Sequence, residues 1–373
     1  MKLYFTRRNF LSTGVTALVA AHALRGQTEA IPVASVPVKT YGPRSTVALT
    51  SGADRRKNVY DALMAIDEQI LPTLKTKKRV LIKPNNNAVT NPLACTHADA
   101  LRGILDYLTP RFKGPITIAE SAGGDTWTGF HNLKYPEMVK EYAPRNIELV
   151  DFNKEGKYVS QALLDQDAHV VPVRLAARIF DPDAFVIGAA LLKSHNYVVA
   201  TMGVKNMVLG APLHNLSTST ERFNFKTSYH AGFHLMHYNM LVTAQAMQPY
   251  WGLSVIDGYE GMEGNGPAMG TPVESRLAIA STDFIAADRV GVECMGVDPQ
   301  WVGYLRYCDQ VGLGNYNLAK IDIRGPEIAS VRKEYRLNAD VDRQLTWKDP
   351  LDVQDGSWIG PRGLRTDRPT TSK

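Results

Sequence analysis

The sequence predicts an α/β protein: a mostly parallel sheet with flanking helices and a site at the carboxyl ends of the strands. Three observations carry this expectation. Short apolar runs rich in β-branched residues alternate with segments of helical spacing, the order that makes parallel strands joined by helical crossovers. The 373 residues are 44% hydrophobic and 21% charged, enough apolar material for a large core. The polar, chemistry-bearing residues fall just after the predicted strands, where sheets of this kind form their ligand crevice.

Residues 1–23 read as a twin-arginine export signal. Thr6-Arg7-Arg8-Asn9-Phe10-Leu11 leads into an apolar stretch from Leu11 to Ala23. That stretch is too short to span a bilayer, and Ala21-His22-Ala23 offers a small-x-small cleavage site. The expectation is a periplasmic protein exported already folded, with no stable membrane insertion after cleavage. Residues 24–44 read as an extended leader.

Thr46-Val47-Ala48-Leu49-Thr50 is the first expected strand, and Val59, Leu63, Ile66 and Ile70 give 57–71 a helical stripe. Val80-Leu81-Ile82 is a short strand stopped by Lys83-Pro84. A helix over 97–108, the strand 116–119, a helix over 134–142 and the strand 147–150 continue the alternation. Strands at 184–188, 252–256 and 276–280 and helices at 230–246, 283–295 and 299–311 complete an α/β domain over 45–336. A boundary between two lobes would fall near 150–185. Residues 337–373 form a polar, proline-containing tail.

The net charge of +5 includes Lys2, Arg7 and Arg8 of the signal, which has no acid, so the remainder carries 5 − 3 = +2. With no basic run before the tail from Arg362, nucleic acid is excluded as the expected partner. Cys95, Cys294 and Cys308 lack C-x-x-C spacing, so neither a cysteine-ligated cluster nor a four-cysteine zinc site can form. No G-x-S-x-G, S-x-x-K or post-strand G-x-G-x-x-G occurs, which argues against serine hydrolases and dinucleotide enzymes. Nothing in the pattern sets the oligomeric state.

Four polar loops follow predicted strands. Lys83-Pro84-Asn85-Asn86-Asn87 places a lysine beside a rigid proline, suited to a carboxylate or phosphate. Glu120-Ser121-Ala122-Gly123-Gly124-Asp125 follows the 116–119 strand, and Lys193-Ser194-His195-Asn196 follows the 184–188 strand. Lys205 sits between Gly203 and Gly210 in an otherwise apolar segment, where an unpaired cation is costly. Asp257 opens a loop with five glycines, and Gly264-Asn265-Gly266-Pro267 implies a close backbone approach.

Five of nine histidines fall between 195 and 237, and His230, His234 and His237 would share one helix stripe. The spacing is H-x-x-x-H with Ala231 where a metallopeptidase helix has glutamate. The bland alternative is a helix whose histidines merely pack or meet solvent. The reactive alternative makes His195, His214, His230, His234 and Asp257 candidate ligands for a divalent metal, with Asp257 joined to His195 directly or through one water or metal.

Taken in order, Ile82-Lys83-Pro84-Asn85, Thr96-His97, Lys193-Ser194-His195, Gly203-Val204-Lys205-Asn206, Asp257-Gly258, Gly264-Asn265-Gly266-Pro267 and Asp283-Phe284-Ile285-Ala286-Ala287-Asp288 resemble the family named domain of unknown function 362. The resemblance runs from about 79 to about 312 and includes Met295-Gly296-Val297-Asp298-Pro299 and Gly312-Leu313-Gly314. Some relatives append cysteine-rich ferredoxin segments that this chain lacks, so no iron–sulfur cluster is expected. The family implies a fold and candidate positions but no reaction.

The functional expectation from residue chemistry is a metal-assisted enzyme for a small anionic substrate, whether hydrolase, lyase or isomerase. His195, Asp257 and Lys205 would be catalytic, and Lys83, Asn85, Lys193, Asn206 and Asn265 would bind substrate. The alternatives are a non-catalytic periplasmic protein binding an oxyanion or metal chelate, and an isomerase resembling the nickel-pincer racemases.

Overall fold

The computed structural model describes residues 29–33, 36–215 and 222–349. The strands among them are β1 (Glu29–Ala30), β2 (Ser45–Ser51), β3 (Arg79–Lys83), β4 (Ile116–Glu120), β5 (Ile147–Asp151), β6 (Lys157–Leu164), β7 (Val170–Ala176), β8 (Ala184–His195), β9 (Val199–Thr201), β10 (Trp251–Glu263), β11 (Thr271–Ser281) and β12 (Ile321–Arg324). Nine form one sheet in the order β12-β2-β11-β10-β8-β3-β4-β5, with β9 folded back on β8. The run β10-β8-β3-β4-β5 is parallel throughout, and β12 is parallel to β2. Within this sheet, antiparallel pairing is confined to β11 between β10 and β2, and to β9 on β8. The mostly parallel α/β architecture is therefore present.

Both faces of the sheet are covered, as parallel strands require. One layer packs Val186, Ala190, Leu192, Val204, Met207, Met240 and Ile285, and the other packs Val59, Leu63, Ile82, Leu101, Ile104 and Ile187. Successive residues of β8 thus serve opposite layers, and all twelve are buried. The sheet takes strands from both sides of 150–185. That segment itself supplies the small second sheet β1-β6-β7.

Local chemistry accounts for several boundaries. The stripe expected over 57–71 is two helices, Arg55–Ala65 and Asp67–Leu74, broken at Ile66, with Asp54 capping the first through the Lys57 N–H. The helix expected over 230–246 begins only at Phe233, because Gly232 holds a positive φ of 93°. His230 therefore lies in the preceding turn, and the expected three-histidine stripe does not form. In the leader, Lys39 donates to the Trp251 carbonyl, and β1 pairs with β6. The first part of the tail packs down too: Gln344 is buried and accepts the Val199 N–H. The signal and residues 350–373 lie outside the described residues, and among the described ones no helix is long and apolar enough to cross a membrane.

Candidate functional site

The cavity at the carboxyl ends of β3, β4 and β8 is built from lysines. Its wall includes Lys83, Lys193, Lys205 and Lys226, with Glu120 as the one carboxylate among the lining residues. Thr201 and Pro267 also face it, and its interior of about 40 Å³ admits a chemical group rather than a large molecule. The loop expected to approach a ligand closely contributes Pro267. A Cβ on Gly266 would lie 2.1 Å from the Ser194 carbonyl oxygen, so glycine is required for the loop to cross β8.

The asparagines orient the lysines. Lys83 Nζ donates to Glu120 Oε2 at 2.9 Å, to the Pro84 carbonyl at 3.0 Å and to Asn206 Oδ1 at 3.0 Å. Asn206 Nδ2 donates to the Lys83 and Ala189 carbonyls, and its Oδ1 also accepts from Asn85 Nδ2. Lys193 Nζ donates to Asn85 Oδ1 and the Ala94 carbonyl, both at 2.9 Å. Lys226 Nζ donates to the Leu209 carbonyl at 2.9 Å. An ammonium has three donors. Lys83 has spent all of them inside the protein, and among the described residues Lys193 keeps one and Lys226 keeps two. Asn85 and Asn206 line the cavity as well and hold the lysines in position through these bonds.

Lys205 differs from the others. It is 9% exposed and lines the cavity, yet its ammonium has no hydrogen bond or ion pair among the described residues. Burial, then the charges of Lys193, Lys226 and Lys83, lower its pKa from 10.5 to about 7. Burial likewise lowers Lys226 to about 7 and Lys193 to about 8. In the Lys83–Glu120 pair, burial works against both charges, depressing the lysine and raising the acid, and their mutual attraction opposes each shift.

Close packing holds Lys205 in place. Asp288 accepts the N–H groups of Gly203 at 2.8 Å and Val204 at 2.9 Å, capping the helix Gly203–Gly210 from across the core. A Cβ on Gly203 would meet Ser254 Oγ at 2.4 Å, and one on Gly210 would sit 1.9 Å from Lys83 Nζ. Both glycines flanking Lys205 are therefore close-approach positions. Asp283 caps its own helix, Phe284–Cys294, and also accepts from Ser45 Oγ.

The proposed metal ligands are distributed over separate places. His195 Nδ1 accepts the N–H groups of Tyr197 and Val198, which assigns the proton of the neutral ring to Nε2. Burial and the Lys205 charge push its pKa well below 6.5, so the ring is a neutral donor whose Nδ1 lone pair is occupied. Asp257 lies within 3.3 Å of Arg55 and accepts the Tyr259 N–H, on the layer of the helix Arg55–Ala65. Lys205 and His230, which perturb His195, belong to the opposite layer. The expected Asp257–His195 hydrogen bond does not form: the Asp257 carboxylate faces Arg55, and His195 Nδ1 is taken by the Tyr197 and Val198 N–H groups. His214 Nε2 meets the Ala122 carbonyl beside a second small cavity, His230 Nδ1 the Lys226 carbonyl, and His234 Nε2 the Asp349 carbonyl. His237 is buried against Tyr304, Tyr307 and Trp347, with its pKa lowered to about 3 by burial. Asn265 Oδ1 accepts from Asn338 and does not line the cavity.

Among the described residues, the group of three metal-type donors close enough for one ion is Asp165, Asp167 and His169, in the turn between β6 and β7. None of the three lines the lysine cavity. Two site residues carry little sequence signal: Glu120 is one of several polar residues in its strand-end loop, and Lys226 reaches the cavity from a segment with no motif of its own.

A thylakoid-associated protein of Synechocystis sp. (strain ATCC 27184 / PCC 6803 / Kazusa) is 29% identical over 246 residues, covering 64% of this chain and 70% of that protein. A crystal structure of a Thermotoga maritima protein superposes with a TM-score of 0.42 at 11% identity, over 69% of this chain and 58% of the other. The profile of the domain of unknown function DUF362 matches residues 80–293, the span that holds β3, β4, β8 and all four cavity lysines. The chain belongs to the DUF362 family.

Proposed function

We propose that this DUF362 protein is an exported enzyme acting on a small anionic substrate. The free donors of Lys193, Lys205 and Lys226 hold the substrate's carboxylate or phosphate group, and Lys205 exchanges a proton with it. The observation that carries this reading is the ammonium of Lys205, which has no partner among the described residues and is buried in a cavity with three other lysines and one carboxylate. Burying a charge without a partner is expensive, and an anion is the ligand that removes the cost. An amine held near neutrality is also poised to accept and return a proton. The export half of the reading rests on the Arg7-Arg8 motif and the apolar run behind it.

Phosphate should stabilise the protein by mass action, by about 2.7 kcal/mol at a hundred times its dissociation constant. Thermal unfolding with and without phosphate measures this. Lys205→Met should fold and lose the shift. A wild-type melting temperature indifferent to phosphate, sulfate and malonate alike would remove the anion site. A binding protein without catalysis needs charge alone at position 205, so Lys205→Arg, which keeps the charge but cannot become neutral, separates the two roles.

A further inference from the structure

We propose that Lys205 is an imine-forming lysine and that the substrate is a small carbonyl compound bearing a carboxylate or phosphate. This rests on the reading of the cavity as an anion site and names its substrate class. Three features of the geometry point to it. The Lys205 amine is the one among the four whose nitrogen is engaged with no protein group among the described residues, so its lone pair has no competitor once the proton is lost. Lys193 and Lys226 keep uncommitted donors on the same wall, so an anionic end can be held while the carbonyl faces Lys205. The capped helix Gly203–Gly210 fixes the backbone from which the amine projects.

A lysine that serves only as an electrostatic clamp works best when charged. Here burial and three neighbouring lysines act against that charge, which favours the nucleophilic neutral amine. In the step itself, the nitrogen lone pair attacks the carbonyl carbon and a C–N bond forms. The C=O π pair moves to oxygen, which takes a proton relayed from nitrogen through the neighbouring ammonium groups. A second proton, lent by the Lys193 or Lys226 ammonium, converts that hydroxyl to water, which leaves as nitrogen forms the C=N bond and returns its remaining proton to the lending amine. One amine and one carbonyl give one imine and one water, with no change of oxidation state.

The test uses the full chain with glyoxylate, the smallest carbonyl carboxylate, and sodium cyanoborohydride, which reduces an imine to a stable secondary amine. Peptide mass spectrometry should find Lys205 heavier by one glyoxylate less one water plus two hydrogens. Labelling at Lys205 should exceed that at other lysines, and the excess should vanish on denaturation. Lys205→Arg should retain the phosphate-induced melting shift and lose the adduct. Labelling at Lys205 no greater than at surface lysines overturns the imine, and a phosphate shift that persists in that case leaves the anion site standing. Loss of both the adduct and the shift overturns both readings.

Discussion

Lys205 concentrates the electrostatic cost of the site in one side chain. Its pKa falls from 10.5 to about 7 on folding, so between those pH values the folded chain binds fewer protons than the unfolded one. Stability therefore rises with pH across that window, and below about pH 7 the charged amine is a burden on the fold. Lys83, Lys193 and Lys226 shift in the same direction, Glu120 lines the same cavity, and His195 and His230 feel the Lys205 charge, so the slope is shared. Denaturant titrations from pH 6 to pH 10 should show a shallower rise in Lys205→Met than in wild type. An equal slope in the two proteins would place the titration elsewhere. A bound anion favours the protonated amine, so phosphate affinity should weaken as the pH climbs past about 7. His195 shows how a neighbour's bonds decide a residue's role. Two backbone N–H groups occupy its Nδ1, which the sequence could not reveal, and they turn an expected base into a neutral donor.

The element that matters most is the eight-residue helix Gly203–Gly210. A helix this short is marginal in isolation and depends on tertiary support. Asp288 supplies that support by accepting two of its otherwise unpaired N–H groups. Asp288→Ala leaves both N–H groups buried without an acceptor and should cost about 1–3 kcal/mol. It should also weaken the phosphate-induced melting shift by letting Lys205 move, although Asp288 does not line the cavity. Loss of stability with an unchanged shift would mean that packing, and not the cap, fixes the position of Lys205. Legibility varied by element for physical reasons. The strands from β2 to β5 were readable because buried parallel strands are apolar runs. β6 and β7 carry polar residues on an exposed face and were missed. The histidine stripe failed on a single glycine whose positive φ delays the helix start by three residues.

On the scale of the whole molecule, the leader and the site occupy different parts of the sheet. Lys39 anchors the leader at Trp251, where β10 begins, whereas the lysines gather at strand carboxyl ends. Cleavage after Ala23 would leave every described leader contact intact, since the first of these is at Glu29. If the export proposal holds, Arg7→Lys combined with Arg8→Lys should trap full-length precursor in the cytoplasm, read by fractionation and immunoblotting. Normal periplasmic recovery of the double variant would overturn it. The sequence by itself determined the α/β class and the suspicion attached to Lys83, Lys193 and Lys205, whereas Lys193–His195 and Asp257, expected in loops after their strands, lie within the longer strands β8 and β10. Hydrophobic periodicity and the cost of an unpaired cation are local properties, readable along the chain. Only the tertiary structure decided which of these groups meet. It joined Glu120 and Lys226 to the lysines, committed Lys83, Asn85 and Asn206 to one another, and turned Asp257 toward Arg55. The reason is geometric. A pleated strand alternates its side chains between two layers, and which layer receives a given residue follows from register with strands that lie distant in the chain.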